Sequence, residues 1–320
     1  MCRPNTEPLQ RPGGKHQEGV PVGNMRYYNK KGTQIMLEIL KAILYGIVEG
    51  ITEWLPVSST GHLILLEELM PFAGMSEDFF GMFDVVIQLG AILAVVVLFW
   101  NKLWPFAFTA GAREKNPGNI PWLRMDIMTM WFKILVSCVP AAIIGVLFDD
   151  VLNALFYRYE VVALALIIFG VAFILIENWN KGRSPRINTV AEITYQTALL
   201  IGVFQVIAAV FPGTSRSGAT IVGALLIGVS RTVAAEYTFF LAVPVMFGAS
   251  LLKLVKFGFH FTPMELGALL AGCAVAFIVS VFVLRFLLSY IKKHDFKLFG
   301  WYRILLGLVV LVAFRFWIHA

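Results

Sequence analysis

The chain has 320 residues, 58% of them hydrophobic and only 14% charged, with a mean hydropathy of +0.77. A soluble globular domain is roughly a quarter charged, so this composition excludes that class and points to a membrane protein. The net charge of +6 implies no nucleic-acid partner, because Arg3, Arg11, Lys15, Arg26, Lys30 and Lys31 against Glu7 and Glu18 supply most of it.

Residues 1–35 are rich in Pro, Gly and charge and lack the apolar run of a signal peptide. They predict a disordered polar tail or an early start, followed from Met36 by one membrane domain over 36–320. A helix needs about 20 apolar residues to cross the hydrocarbon core, since backbone groups cannot stay unpaired in lipid. In chain order, the stretches 83–100, 128–148, 161–176, 235–254, 266–290 and 304–317 meet that demand. Two more, 37–54 and 193–211, are apolar but interrupted. The connections 101–126 and 178–191 are basic, through Lys102, Arg113, Lys115 and Arg124 and through Lys181, Arg183 and Arg186. Lys292, Lys293 and Lys297 form a third cluster, and such loops favour the cytoplasm. Cys2, Cys138 and Cys273 have no metal spacing.

The two interrupted helices repeat one another. At a constant offset Gly46 meets Gly202, Glu49 meets Gln205, Pro56 meets Pro212 and Ser59 meets Ser215. This defines two halves, about 36–177 and 192–320, each with an apolar helix, a proline break, a hydroxyl cluster and a second apolar helix. Paired broken helices in the two halves of a membrane protein point to a binding site at their interface.

Both breaks carry chemistry. In Glu49-Gly-Ile-Thr-Glu53-Trp-Leu-Pro-Val-Ser58-Ser59-Thr60-Gly61-His62, the glutamates lie four apart on one helix face, close enough to share a cation or a proton. The hydroxyls of Ser58, Ser59 and Thr60 fall where a new helix needs capping, and His62 falls in its first turn. The plain alternative is a solvated amphipathic entry helix, but charge inside a membrane is costly and marks function by default. In Pro212-Gly213-Thr214-Ser215-Arg216-Ser217-Gly218-Ala219-Thr220, glycines, hydroxyls and one arginine open an apolar helix. Gly213, Thr214, Ser215, Ser217 and Gly218 are candidates for an anion cradle, and Arg216 adds a planar fork suited to phosphate. Its plain alternative is a snorkelling arginine beside a turn. Asp84 and Gln88, four apart at the start of a span, are secondary candidates for the same cavity.

Together these two motifs resemble bacterial undecaprenyl-diphosphate phosphatase of the bacitracin-resistance type. The likeness runs from about Met36 through nearly the whole chain, and includes Phe83-Asp84-Val-Val-Ile-Gln88-Leu-Gly90 and Gly228-Val-Ser-Arg231. It implies an all-α polytopic membrane fold with inverted repeats and re-entrant helix pairs, a homodimer, and a site facing the outer side of the bacterial cytoplasmic membrane. The implied reaction is hydrolysis of undecaprenyl diphosphate to undecaprenyl phosphate and phosphate. The residue types then suggest roles. Arg216 and 213–218 would hold the diphosphate. Glu49 and Glu53 face an anionic lipid, so they call for a proton or a hard divalent cation such as Mg2+ or Ca2+. Ser59 is the candidate nucleophile with His62 or Glu53 as its activator, and direct attack by water is the rival. A transporter or flippase of an anionic polyprenyl lipid is the competing function. It would use Arg216 and the cradle but has no need of Glu49, Glu53 and His62 packed together.

Overall fold

The computed structural model describes residues 22–76, 78–108, 120, 122–156 and 158–318. It divides into two units, Met1–Leu37 and Glu38–Ala320. In the first unit the described residues are helical from Val22. The last proline of that segment is Pro21, so the strongest helix breaker is absent from residues 22–52. Residues 1–21, and Arg113 and Lys115 of the long basic connection, lie outside the described residues.

The elements run α1 (Val22–Thr52), α2 (Ser59–Leu69), α3 (Phe79–Val86), α4 (Gln88–Leu98), α5 (Trp100–Leu103), α6 (Met125–Phe156), α7 (Tyr159–Trp179), α8 (Tyr195–Val210), α9 (Arg216–Leu226), α10 (Arg231–Phe257), α11 (Pro263–Tyr290) and α12 (Lys297–Ala313). The described residues form helices and no strand. Among the described residues, six helical stretches are long and apolar enough to cross a membrane: Phe79–Leu98, Met125–Phe148, Tyr159–Trp179, Arg231–Phe257, Pro263–Tyr290 and Lys297–Phe316. Each overlaps one of the six expected apolar runs. The chain is a polytopic helical membrane protein.

Among the described residues, α3 and α4 reach a crossing length only as one stretch and α5 is a single turn, and three further helices are too short to cross. α2 and α9 have 11 residues each, and α8 has 16. At 1.5 Å per residue they rise about 16 and 24 Å, against about 30 Å of hydrocarbon. Outward faces are apolar, with Ile168 and Leu175 on α7 and Phe282 and Phe286 on α11 each more than half exposed. Glu49, Ser137, Glu177, Gln205 and Arg303 are buried instead. Polar groups inside and apolar groups outside is the polarity lipid requires.

Glycines set how closely the helices pack. A Cβ on Gly46 of α1 would lie 2.6 Å from the Gly272 carbonyl of α11, and one on Gly202 of α8 would strike the Ser137 carbonyl of α6. Each interrupted helix therefore packs on a long helix of the other half. The seam between α7 and α12 is reciprocal: a Cβ on Gly170 meets the Gly300 carbonyl at 2.7 Å, and a Cβ on Gly300 meets the Gly170 carbonyl at 2.7 Å. Small residues of this kind let membrane helices approach closely enough for dispersion to hold them. Gly170→Ala should therefore destabilise by about 1–3 kcal/mol through overpacking. Gly248→Ala, on an open helical face with nothing within 4 Å, should be neutral or slightly stabilising. Thermal unfolding in detergent checks both, and equal melting temperatures for the two variants would contradict the close-packed seam.

Candidate active site

Two helix breaks build the site. α1 ends at Thr52, and Glu53 still donates its N–H to the Glu49 carbonyl at 3.0 Å before Pro56 ends the run. Ser58 then caps α2 with φ 76°, and its hydroxyl accepts the Gly61 N–H at 3.4 Å. In the second half, α8 ends at Val210, two residues before Pro212. Ser215 caps α9 with φ 68°, and its hydroxyl accepts the Gly218 N–H at 3.2 Å. Apart from Phe259, these two serines are the non-glycine residues with positive φ among those described. Such a conformation costs on the order of 1–3 kcal/mol and persists where the surroundings enforce it.

The matched caps change the register read from the sequence. Pro56-Val57-Ser58 corresponds to Pro212-Gly213-Thr214-Ser215, so the second turn holds one residue more. Gly213, at φ 90° and with the Val162 backbone 2.6 Å from where a Cβ would sit, accommodates the extra residue. Before the turn the constant offset applies; after it, Ser58 pairs with Ser215 and Ser59 with Arg216. Ser59 and Arg216 are thus the first residues of equivalent helices.

Both reach one carboxylate. The Ser59 hydroxyl donates to Glu53 Oε2 at 3.0 Å, and Arg216 Nη2 donates to Glu53 Oε1 at 2.9 Å. Ser217, the neighbour of Arg216, donates its hydroxyl to the Glu53 carbonyl at 3.2 Å. Arg216 is held further by the Thr238 carbonyl at 3.2 Å, and its side chain and that of Glu53 are 13% and 9% exposed. A guanidinium, a carboxylate and a hydroxyl from both halves thus meet away from bulk solvent, where electrostatic interactions are strong.

Glu49, one turn before Glu53, is fully buried, and neither of its carboxylate oxygens has a hydrogen-bond partner among the described residues. Glu53, Asp84 and Arg216 are the charged groups whose fields act on it. Asp84 also has a buried, unpartnered oxygen, Oδ1, on α3. Gln88 opens α4 directly after Ile87 and is half-buried. Gln205, the counterpart of Glu49, is buried with both side-chain polar atoms unpartnered. Among the described residues no three His, Cys, Asp or Glu side chains form a ready metal cage.

His62 takes a different place from the one its spacing suggests. Its Nδ1 lies 2.7 Å from the Ser58 carbonyl, and its Nε2 lies 2.7 Å from the Tyr302 hydroxyl. A carbonyl can only accept, so Nδ1 carries a proton, and in the neutral ring Nε2 accepts from the Tyr302 hydroxyl. The two rings stack at 5.6 Å. No hydrogen bond joins His62 to Ser59; the group bonded to that hydroxyl is Glu53. Thr60 is half-buried in the first turn of α2. Within 213–218 the turn engages some of the groups expected to cradle an anion: Thr214 donates its N–H to the Phe211 carbonyl, and Gly218 to the Ser215 hydroxyl.

Arg303 on α12 was not among the sequence candidates. It is completely buried, and it donates to the Pro56 carbonyl at 3.2 Å, the Gly213 carbonyl at 3.0 Å and the Thr214 carbonyl at 2.6 Å. One guanidinium therefore ties both proline turns together. The signal was present, since Arg303 is the one charge within α12 beyond Lys297 at its first position, and charge inside an apolar helix singles out intramembrane residues. Tyr302 beside it carried no such signal.

These features define a helical membrane protein whose interior holds a charged, hydroxyl-lined site at two helix breaks. Residues 42–309 match the model of the family described as Bacitracin resistance protein BacA, and the chain belongs to that family. It is 64% identical over 279 residues to an undecaprenyl-diphosphatase of Desulfitobacterium hafniense, covering 87% of this chain and 97% of that protein. It is 63% identical over 278 residues to undecaprenyl-diphosphatase 1 of Clostridium acetobutylicum, covering 87% and 98%. An undecaprenyl-diphosphatase of Enterococcus faecalis is 62% identical over 276 residues, covering 86% and 97%.

The Arg303 clamp makes a prediction. Arg303→Met leaves three buried carbonyls without donors, at about 1–3 kcal/mol each. The melting temperature should fall and turnover should drop at least tenfold, with Arg303→Lys intermediate. Parental melting and turnover in Arg303→Met would show that the turns do not depend on this residue.

Proposed function

We propose that the protein hydrolyses undecaprenyl diphosphate to undecaprenyl phosphate and inorganic phosphate. The observation that carries this reading is the convergence of Ser59 and Arg216, from equivalent positions of the two halves, on the carboxylate of Glu53. A binding or transport site for an anionic lipid has no use for a hydroxyl held on a carboxylate. The relatives are also named for hydrolysis.

Glu53 is the general base in this proposal and Ser59 the nucleophile. As Ser59 Oγ attacks the terminal phosphorus, its proton passes to Glu53 Oε2. The bond to the bridging oxygen breaks, and its electron pair leaves with undecaprenyl phosphate. Water then attacks the phosphoserine; the bond from phosphorus to Ser59 Oγ breaks, Glu53 returns its proton to that oxygen, and both protons of the water leave with inorganic phosphate. Arg216 takes the phosphoryl oxygens with its planar fork, which suits charge spread over equatorial oxygens. The stack of His62 on Tyr302 holds the start of α2, and with it Ser59, in place. The buried, unpartnered oxygens of Glu49 fit a hard divalent cation such as Mg2+ or Ca2+. Glu49, with Glu53 beside it, would hold such an ion, which would neutralise the diphosphate.

The helix lengths support re-entrant pairs, with α1 and α2 in one half and α8 and α9 in the other meeting inside the membrane. Sidedness rests on the basic connections. Lys102 bonds Glu236 near the start of α10, and Arg186 and Lys292 lie with Arg231 at the same end. That end is cytoplasmic by the positive-inside bias. The catalytic cluster, at the opposite end of α9, then opens toward the outer side of a bacterial cytoplasmic membrane.

Phosphate release from undecaprenyl diphosphate by the purified protein tests the reading. Ser59→Ala should bind the lipid and release almost no phosphate, while Ser58→Gly, which suits a φ of 76°, should keep substantial activity. Turnover by Ser59→Ala at a tenth or more of the parental rate removes the nucleophile, since tenfold is only about 1.4 kcal/mol of barrier. A chelator should lower parental turnover; insensitivity to it would remove the cation alone.

A further inference from the structure

A polar concavity lies at the end of α9 remote from Arg216. It is a cavity of about 700 Å³ bordered by Leu225 and Leu226 and lined by Arg183, Arg186, Ser230 and Lys292. α9 rises about 16 Å from Arg216 to this end, so the cavity is separate from the catalytic cluster. The Gly228-Val-Ser-Arg231 motif, which has no part in the proposed chemistry, forms its floor. Gly228 turns the chain at φ 88°, and its carbonyl accepts the N–H groups of Arg186 at 2.8 Å and Ile187 at 3.2 Å. Ser230 returns its N–H to the Ile187 carbonyl at 2.9 Å, and Asn180 Nδ2 donates to the Leu225 carbonyl at 3.1 Å. The basic connection after α7 is thereby stapled against the start of α10.

The charges there do not balance. Arg231 is neutralised by Glu177, which it grips through both Nε and Nη2, and Glu177 is 1% exposed. Glu177 also accepts the Phe296 N–H at 3.1 Å, so it has little left for another cation. Arg183, Arg186 and Lys292 form no ion pair with any described residue. The Arg183 guanidinium lies 4.1 Å from the ring centroid of Trp179. Trp179 ends the spanning helix α7 and is 60% exposed, and Leu226 is 50% exposed on the rim. An exposed tryptophan at a helix end marks the headgroup level of a bilayer. Basic pockets between spanning helices at that level suit anionic headgroups.

We infer that this pocket binds the phosphate of an anionic phospholipid, with Arg183, Arg186 and Lys292 as its cations and Trp179 and Leu226 against the glycerol and first methylenes. The apolar rim favours a lipid over free phosphate, which would use only the cations.

Native mass spectrometry of the full chain in nonionic detergent tests this against three probes: phosphatidylglycerol, phosphatidylcholine and inorganic phosphate. The parent should bind phosphatidylglycerol at least tenfold tighter than phosphatidylcholine. Arg183→Ala/Arg186→Ala/Lys292→Ala should lose that tenfold preference while releasing phosphate from undecaprenyl diphosphate at the parental rate. If that variant fails to fold, Lys292→Glu, a sign change at an exposed position, should still weaken phosphatidylglycerol binding severalfold. Equal phosphatidylglycerol affinity in parent and variants overturns the inference. Full competition by millimolar inorganic phosphate overturns it too, in favour of a free-phosphate site.

Discussion

Glu53 receives Arg216 on one oxygen and Ser59 on the other, with both charged side chains largely buried. A buried pair of this kind contributes little by mere proximity, because desolvation offsets much of the Coulomb attraction. Its importance lies in what its loss leaves behind: an uncompensated charge in the interior, costing about 3–5 kcal/mol. The interaction therefore specifies how the two halves meet. In the proposed reaction, Ser59 can face the substrate phosphorus only if α2 begins where Glu53 can receive its hydroxyl, and Arg216 only if α9 begins at the matching point.

The backbone around that contact is arranged to deliver it. Two serines hold a left-handed conformation that most residues avoid, each stabilised by its own capping bond. Arg303 binds the carbonyls of both turns at once, so the turns cannot drift apart independently. The glycine seams bring each interrupted helix onto a long helix of the opposite half. The halves are alike in backbone and unlike in charge. One supplies the acids Glu49 and Glu53; the other supplies Gln205 in place of Glu49, and Arg216. Neither half holds the whole site.

Much of this was legible in the sequence, for physical reasons that differ by element. The six crossing helices declare themselves because lipid forbids long polar runs, so their apolar length is the signal. Glu49, Glu53 and Arg216 stand out because charge is expensive there. The register past the turn was not legible, since a constant offset cannot show a single extra residue in a loop, and that residue decides whether Ser59 or Ser58 matches Ser215. The partner of His62 was hidden as well. Tyr302 lies 240 residues away, and a tyrosine near a helix end resembles any interfacial aromatic.

The central claim is that Glu53 and Arg216 act as one unit, and a double-mutant cycle on phosphate release measures it directly. Glu53→Gln, Arg216→Gln and the double variant would be compared with the parent at saturating undecaprenyl diphosphate. Groups that act together are strongly non-additive. The double variant should therefore be no more than about threefold slower than the slower single variant, given the usual few tenths of a kcal/mol of scatter in such cycles. Losses that multiply across the two positions would show that the carboxylate and the guanidinium serve the reaction independently, and would contradict the account.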